Sequence, residues 1–92
     1  MTMPVIEIYT TRSCSYCHAA KALLKRKGVA FTEIDLDRDR GRRAEMIERA
    51  NGGRTVPQIF INSVHVGGCD ELHALEAEGQ LDSLLAGDEA CA

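Results

Sequence analysis

Within the first 36 residues the hydrophobic pattern changes period twice, and this change restricts the possible folds more than any other feature of the chain. Val5-Ile6-Glu7-Ile8-Tyr9 is rich in branched and aromatic residues and reads as a strand. Thr10 to Ser13 is a polar break. From Cys14 to Lys27 there is neither Gly nor Pro, Ala and Leu dominate, and Tyr16, Ala20, Leu23 and Leu24 fall on one helical face. Gly28 ends the helix as a C-cap residue. Val29 to Leu36 then alternates apolar and polar through Phe31, Ile34 and Leu36, as a second strand. Strand, helix and strand in this span make a βαβ unit, whose crossover leaves the two strands parallel.

The rest of the chain completes a sheet. A second helix is expected from about Gly41 to Asn51, with Met46, Ile47 and Ala50 inward and Gly52-Gly53 as its stop. Gln58-Ile59-Phe60-Ile61 and Val64-His65-Val66 flank Asn62-Ser63, which reads as a hairpin around a two-residue turn. After Gly67-Gly68, Asp70 to Glu78 is expected to be helical with Leu72 and Leu75 inward. Gly79 punctuates it, and Leu81, Leu84 and Leu85 indicate a short last helix. Residues 87–92 are expected to form a frayed tail. The order β-α-β-α-β-β-α defines an α/β class: one four-stranded mixed sheet flanked by helices, in a single domain over residues 1–92. A chain of this length buries only about 60–65% of its unfolded surface, enough for one core.

Charge and leader pattern narrow the function. The net charge of −3 argues against broad nucleic-acid binding, which calls for a basic face. Basic residues cluster at Lys25-Arg26-Lys27 and across Arg38 to Arg43, the latter interrupted by acidic residues; both read as solvated surface. Met1 to Pro4 leads into an apolar run of only about six residues, too short for a signal-peptide core or a membrane span. A cytosolic location without membrane association is therefore expected. Thiols stay reduced there, so four cysteines point to catalysis, metal binding or burial before structural disulfides.

Cys14-Ser15-Tyr16-Cys17-His18 fits three chemistries: haem attachment, the start of a zinc site, or thiol–disulfide exchange. Haem needs export and an axial ligand, and Met46 is already required for packing. His18 is more simply a polar residue on an exposed helix face. Zinc needs four ligands, commonly two close pairs, and Cys69, Cys91, His65 and His73 make no second pair. Redox exchange needs only the two thiols. Residues three apart in a helical turn have α-carbons about 5–6 Å apart, within the window of a disulfide. Cys14 lies at the helix start, where unpaired N–H groups and the positive dipole end favour an anion. Cys17 is one turn inside, and Arg12 adds positive charge nearby. Cys14 is thus the attacking thiolate and Cys17 the resolving thiol.

Three blocks in order, Tyr9 to Ala22, Thr55-Val56-Pro57-Gln58-Ile59-Phe60-Ile61 and Gly67-Gly68-Cys69-Asp70-Glu71, make nearly the whole chain resemble a dithiol glutaredoxin. The resemblance implies a thioredoxin-like fold with a cis peptide bond before Pro57. It implies that Thr55, Val56 and Pro57 present the Val56 backbone to a thiol substrate, as in addition of a strand to a sheet edge. It implies a glutathione site in which Gly68, Cys69 and Asp70 hold the γ-glutamyl end, Cys69 through its backbone. A helix start there binds a carboxylate through free N–H groups. Asp70 either caps this helix, accepts from the ligand's ammonium, or does both. Tyr16 either walls the cleft or packs on its helix face. Two departures stand out: Ser15 replaces the family's usual proline, and Thr11 its usual lysine. Arg12 or Arg54 is left to take the glycine carboxylate of glutathione.

The implied activity is glutathione-dependent reduction of protein disulfides and glutathione mixed disulfides by a monomer, with glutathione as co-substrate, client proteins as partners and no resident metal. Two alternatives are a redoxin served by thioredoxin reductase, and a carrier in which Cys14 from two chains and two glutathiones hold a [2Fe–2S] cluster. Cys91 reads as a spare exposed thiol in the tail.

Overall fold

The computed structural model describes residues 5–85; the expected tail at 87–92, with Cys91, lies outside them. Strands β1 (Ile6–Thr10), β2 (Thr32–Asp35), β3 (Gln58–Ile61) and β4 (Val64–Gly67) alternate with helices α1 (Ser15–Arg26), α2 (Arg42–Arg49), α3 (Cys69–Ala77) and α4 (Leu81–Leu85) in the order β1-α1-β2-α2-β3-β4-α3-α4. The strands form one sheet in the order β2-β1-β3-β4. β1 and β2 are parallel, with Thr10 beside Asp35. β3 is antiparallel to β1 and to β4, with Ile6 and Val64 both beside Ile61. The crossover and the hairpin expected from the sequence are both present.

Strand parity divides the core into two layers, because alternate side chains of a strand point to opposite faces. Ile6 and Ile8 of β1 and Ile59 and Ile61 of β3 face Ala20, Leu23 and Leu24 of α1, Leu72 of α3, and Leu81 and Leu85 of α4. Tyr9, Ile34, Leu36 and Phe60 face the other way, against Met46 of α2 and Ala50 just beyond it. Each such fully buried aliphatic side chain contributes roughly 1.5–3 kcal/mol.

Polar contacts fasten the helices. Over the second layer, Arg49 bonds Glu7 at 2.8 Å and the Tyr9 hydroxyl at 2.9 Å, and its guanidinium lies 4.1 Å from the centre of the Phe60 ring. The Tyr9 hydroxyl in turn donates to Glu45. On the other side, Lys27 reaches Glu76 and Asp82, each at 2.7 Å, and so ties the end of α1 to α3 and α4. Lys27 is therefore not the solvated charge expected from its cluster, whereas Lys25 and Arg26 are exposed.

β2 is shorter than the predicted span of 29–36. Val29 and Phe31 pack into the first layer, while Ile34 and Leu36 enter the second. The apolar residues thus serve both faces of the sheet, and regular pairing starts only at Thr32. The hairpin turn has Asn62 at φ 52° and Ser63 at φ 67°, the left-handed pair that matches strand twist in a two-residue loop.

Candidate active site

Cys14 is the N-cap of α1, with extended backbone angles. Strand β1 ends four residues earlier, at the edge where β2 also ends and β3 begins. Its Sγ accepts a hydrogen bond from the Cys17 N–H at 3.3 Å and donates one to the Val56 carbonyl at 3.5 Å. The sulfur is half-buried, beside a helix start whose dipole favours negative charge. Cys17 is fully buried one turn on. Burial, with the neighbouring Cys14 as a second cause, pushes its thiol up to about 12; the Thr11 backbone and the Lys21 charge work against this. Cys14, Cys17 and Cys69 are all free thiols.

The buried Cys17 thiol has a consequence for stability. Its folded-state value lies above the ordinary 9.0, so the unfolded chain loses this proton first. The stabilisation is complete below pH 9 and is lost as pH rises toward 12. Melting temperature is expected to fall over this window more steeply in the native sequence than in Cys17→Ala. Parallel slopes for the two would show that Cys17 does not carry the effect.

The Val56–Pro57 peptide bond is cis, as the resemblance implies. Thr55, Val56 and Pro57 line a cleft of about 380 Å³ together with Gly68, Cys69, Asp70 and Glu71 at the start of α3 and with Tyr16 of α1. Both glycines before α3 are required by close approach. A side chain on Gly67, at φ +120°, would come within 2.9 Å of Glu71, and one on Gly68 within 3.3 Å of the Pro57 carbonyl. Gly68 is the N-cap of α3, and its N–H donates to the Glu71 carboxylate at 2.7 Å. Asp70 therefore lies inside the first turn and does not cap the helix.

The structure brings together Tyr16, Thr55, Val56, Pro57, Gly68, Cys69 and Asp70 from the residues expected at the site. Of the two readings left open for Tyr16, the structure has it lining the cleft and not packed with the helix face it shares with Ala20, Leu23 and Leu24. It is 63% exposed, whereas Ala20, Leu23 and Leu24 on the same face are buried. In the first turn that face looks past the end of the sheet and over the cleft. Arg12 is not among the cleft-lining residues. Its guanidinium, 71% exposed, pairs with Asp35 at 3.4 Å, and its N–H bonds Asp37 at 2.7 Å. Arg54 also lies outside the lining, with its carbonyl held by Arg43 at 3.0 Å. His18 is exposed as expected, with Nε2 3.1 Å from the Arg12 carbonyl. Sequence reasoning missed Glu71, although the Gly68-x-x-Glu71 spacing is a capping-box signal. Cys69 is buried beside His73, its Sγ 3.3 Å from Nδ1, and burial raises its thiol above the usual value.

A half-buried free thiol at a helix start, a buried second sulfur one turn away and a carbonyl from a cis-proline loop suit one kind of chemistry, the passing of a disulfide between partners. With the mixed sheet beneath them, they place the protein among the thiol–disulfide oxidoreductases of thioredoxin-like fold. A family model described as Glutaredoxin matches residues 6–66. Glutaredoxin 3 of Escherichia coli K12 is 57% identical over 83 residues, which cover 90% of this chain and 99% of that one. The solution structure of a glutaredoxin from Brucella melitensis superposes with a TM-score of 0.79 at 60% identity, covering 92% of this chain and 91% of that one. A crystal structure of a buckwheat glutaredoxin–glutathione complex superposes with a TM-score of 0.84 at 29% identity, covering 91% of this chain and 78% of that one. The chain belongs to the glutaredoxin family. Among the described residues no helix is long and apolar enough to cross a membrane.

Proposed function

We propose that the protein reduces glutathione mixed disulfides and protein disulfides, with glutathione as the electron donor. The observation that carries this reading is the position of Cys14 Sγ, 3.5 Å from the carbonyl of Val56, which lines a cleft together with the start of α3.

The Cys14 thiolate attacks one sulfur of the substrate disulfide. The new S–S bond forms as the old one breaks, and the partner leaves as a thiolate. When Cys14 then carries glutathione, a second glutathione thiolate attacks that sulfur, releases oxidised glutathione and restores Cys14. When Cys14 carries a client protein, Cys17 loses its proton and attacks Cys14 Sγ. The client leaves reduced, and two glutathiones in turn reduce the Cys14–Cys17 disulfide.

Glutathione lies in the cleft with its cysteinyl backbone paired to Val56 between Thr55 and Pro57, and Tyr16 covers one side. The Gly68 N–H is occupied by Glu71, so the amides of Cys69 and Asp70, which have no intrahelical partner, receive the γ-glutamyl carboxylate. The Asp70 carboxylate accepts from the ammonium. Arg54 takes the glycine carboxylate in preference to Arg12, because Arg12 is already paired with Asp35. The protein works as a single-domain monomer in the cytoplasm.

The test is reduction of the mixed disulfide between glutathione and 2-mercaptoethanol, coupled to glutathione reductase. Asp70→Asn keeps the shape and removes the charge; losing one charge-assisted hydrogen bond should raise KM for the glutathionyl substrate about tenfold with kcat nearly unchanged. Absence of turnover in the native sequence, with turnover on adding thioredoxin reductase, would move the protein to the redoxin class.

A further inference from the structure

The segment between β2 and α2 carries positive charge that the reaction on glutathione does not use. Arg38 and Arg40 are exposed there, Arg43 is exposed in the first turn of α2, and Arg54, assigned above to the glycine carboxylate, is exposed on the loop before Val56. Two hydrogen bonds fix this rim beside the reactive sulfur. Asp37, next to Arg38, accepts the N–H of Arg12, two residues before Cys14. Arg43 Nη1 reaches the carbonyl of Arg54, two residues before Val56. Val56 is in turn the residue whose carbonyl meets Cys14 Sγ.

Most acids of this rim are already occupied. Asp35 pairs with Arg12 and accepts the Asp37 N–H, Asp37 holds the Arg12 N–H, and Glu45 binds Arg42 and Tyr9. Asp37 and Asp39, which form no ion pair with a described residue, are left as opposing charges. Arg38, Arg40 and Arg54 form no ion pair with a described residue. Across the cleft, Asp70 and Glu71 make the other rim acidic. A chain of net charge −3 therefore sets its reactive sulfur on the border of a locally basic surface.

We infer that this basic rim, Arg38, Arg40 and Arg43, is the surface on which client proteins dock, and that it selects disulfides flanked by acidic residues. The inference rests on the disulfide-reducing function proposed above. Glutathione spans the cleft from Asp70 to Arg54, so a client polypeptide joined to it by a disulfide is left the rim beyond Arg12, where Asp37 holds the Arg12 N–H and Arg38 and Arg40 stand exposed. Unpaired guanidinium groups draw carboxylates to that side and hold them with bidentate bonds. Such steering raises encounter rates by tenfold or more at low ionic strength and is screened by salt.

The test uses two peptides that share one glutathionylated cysteine, one flanked by Asp and Glu and the other by Lys and Arg, with the small mixed disulfide as reference. At about 20 mM salt the acidic peptide is expected to have a kcat/KM about tenfold above the basic one, and at about 0.5 M the two should converge. The double change Arg38→Glu and Arg40→Glu should abolish or reverse the preference while the small mixed disulfide changes less than about twofold. Equal rates for the two peptides at low salt in the native sequence would overturn the inference without any variant. So would an acidic preference that survives the double change. Failure of the small mixed disulfide in the native sequence would count against the glutathione reading instead.

Discussion

Cys14→Ser is expected to lower glutathione-coupled turnover by at least about a thousandfold, and Cys17→Ser to leave it within a few-fold of native. The thiolate is the nucleophile of this chemistry, and an alcohol at Cys14 ionises too weakly to replace it. Cys14 is half-buried, with its Sγ beside the cleft at the Val56 carbonyl; Cys17 is fully covered and its thiol is pushed up to about 12. The buried thiol can act only after Cys14 has reacted, and glutathione reaching a Cys14 mixed disulfide makes it dispensable. Cys17→Ser should therefore still reduce the small mixed disulfide but remain trapped as a mixed disulfide with a client protein, a species that mass spectrometry detects. Equal loss in the two variants would contradict this order of attack.

Phe60→Ala is expected to cost about 3–5 kcal/mol, the largest effect of any single truncation away from the dithiol. Phe60 is fully buried in the centre of β3. Its ring meets Tyr9 edge-on at 5.8 Å, stacks on His65 at 5.0 Å and lies under the Arg49 guanidinium at 4.1 Å. Removing it leaves a cavity under α2 and takes away a cation–π contact worth about 0.5–2 kcal/mol. For a domain of this size the melting temperature should fall by about 15–30 °C. Phe60→Leu, which keeps most of the volume, should lose less than half as much. A drop of only a few degrees for Phe60→Ala would mean that the α2 layer collapses onto the vacated space.

The main elements were legible because their signals are local. Ile6, Ile8, Ile59 and Ile61 alternate with outward or second-layer residues, Gly28 ends α1 with a positive φ, and Asn62-Ser63 forms the expected turn. The cleft was legible through motif resemblance, since Pro57 and Gly68 are far apart in sequence and meet only in the fold. What stayed hidden depends on partners distant in sequence. Arg12 is held at Asp35, 23 residues on, and Lys27 at Glu76 and Asp82. Tyr16 matches the helical period of the core face, yet nothing in the periodicity says where the sheet beneath that face stops. β2 misled for a related reason. Val29 and Phe31 serve one layer and Ile34 and Leu36 the other, so a run read as one amphipathic strand is a packed approach followed by a short strand.

The clasp of Lys27 on Glu76 and Asp82 means that chemistry and architecture cannot be divided along the chain. Every residue assigned to the reaction precedes Leu72, yet Leu72, Leu81 and Leu85 complete the core layer that the helix carrying the dithiol shares with Ile6, Ile8, Ile59 and Ile61. A fragment ending at the cleft would keep its reagents and lose the support that aims them. Shortening or grafting of this protein is thus constrained from the far side: whatever moves the two cysteines elsewhere must bring the last two helices along.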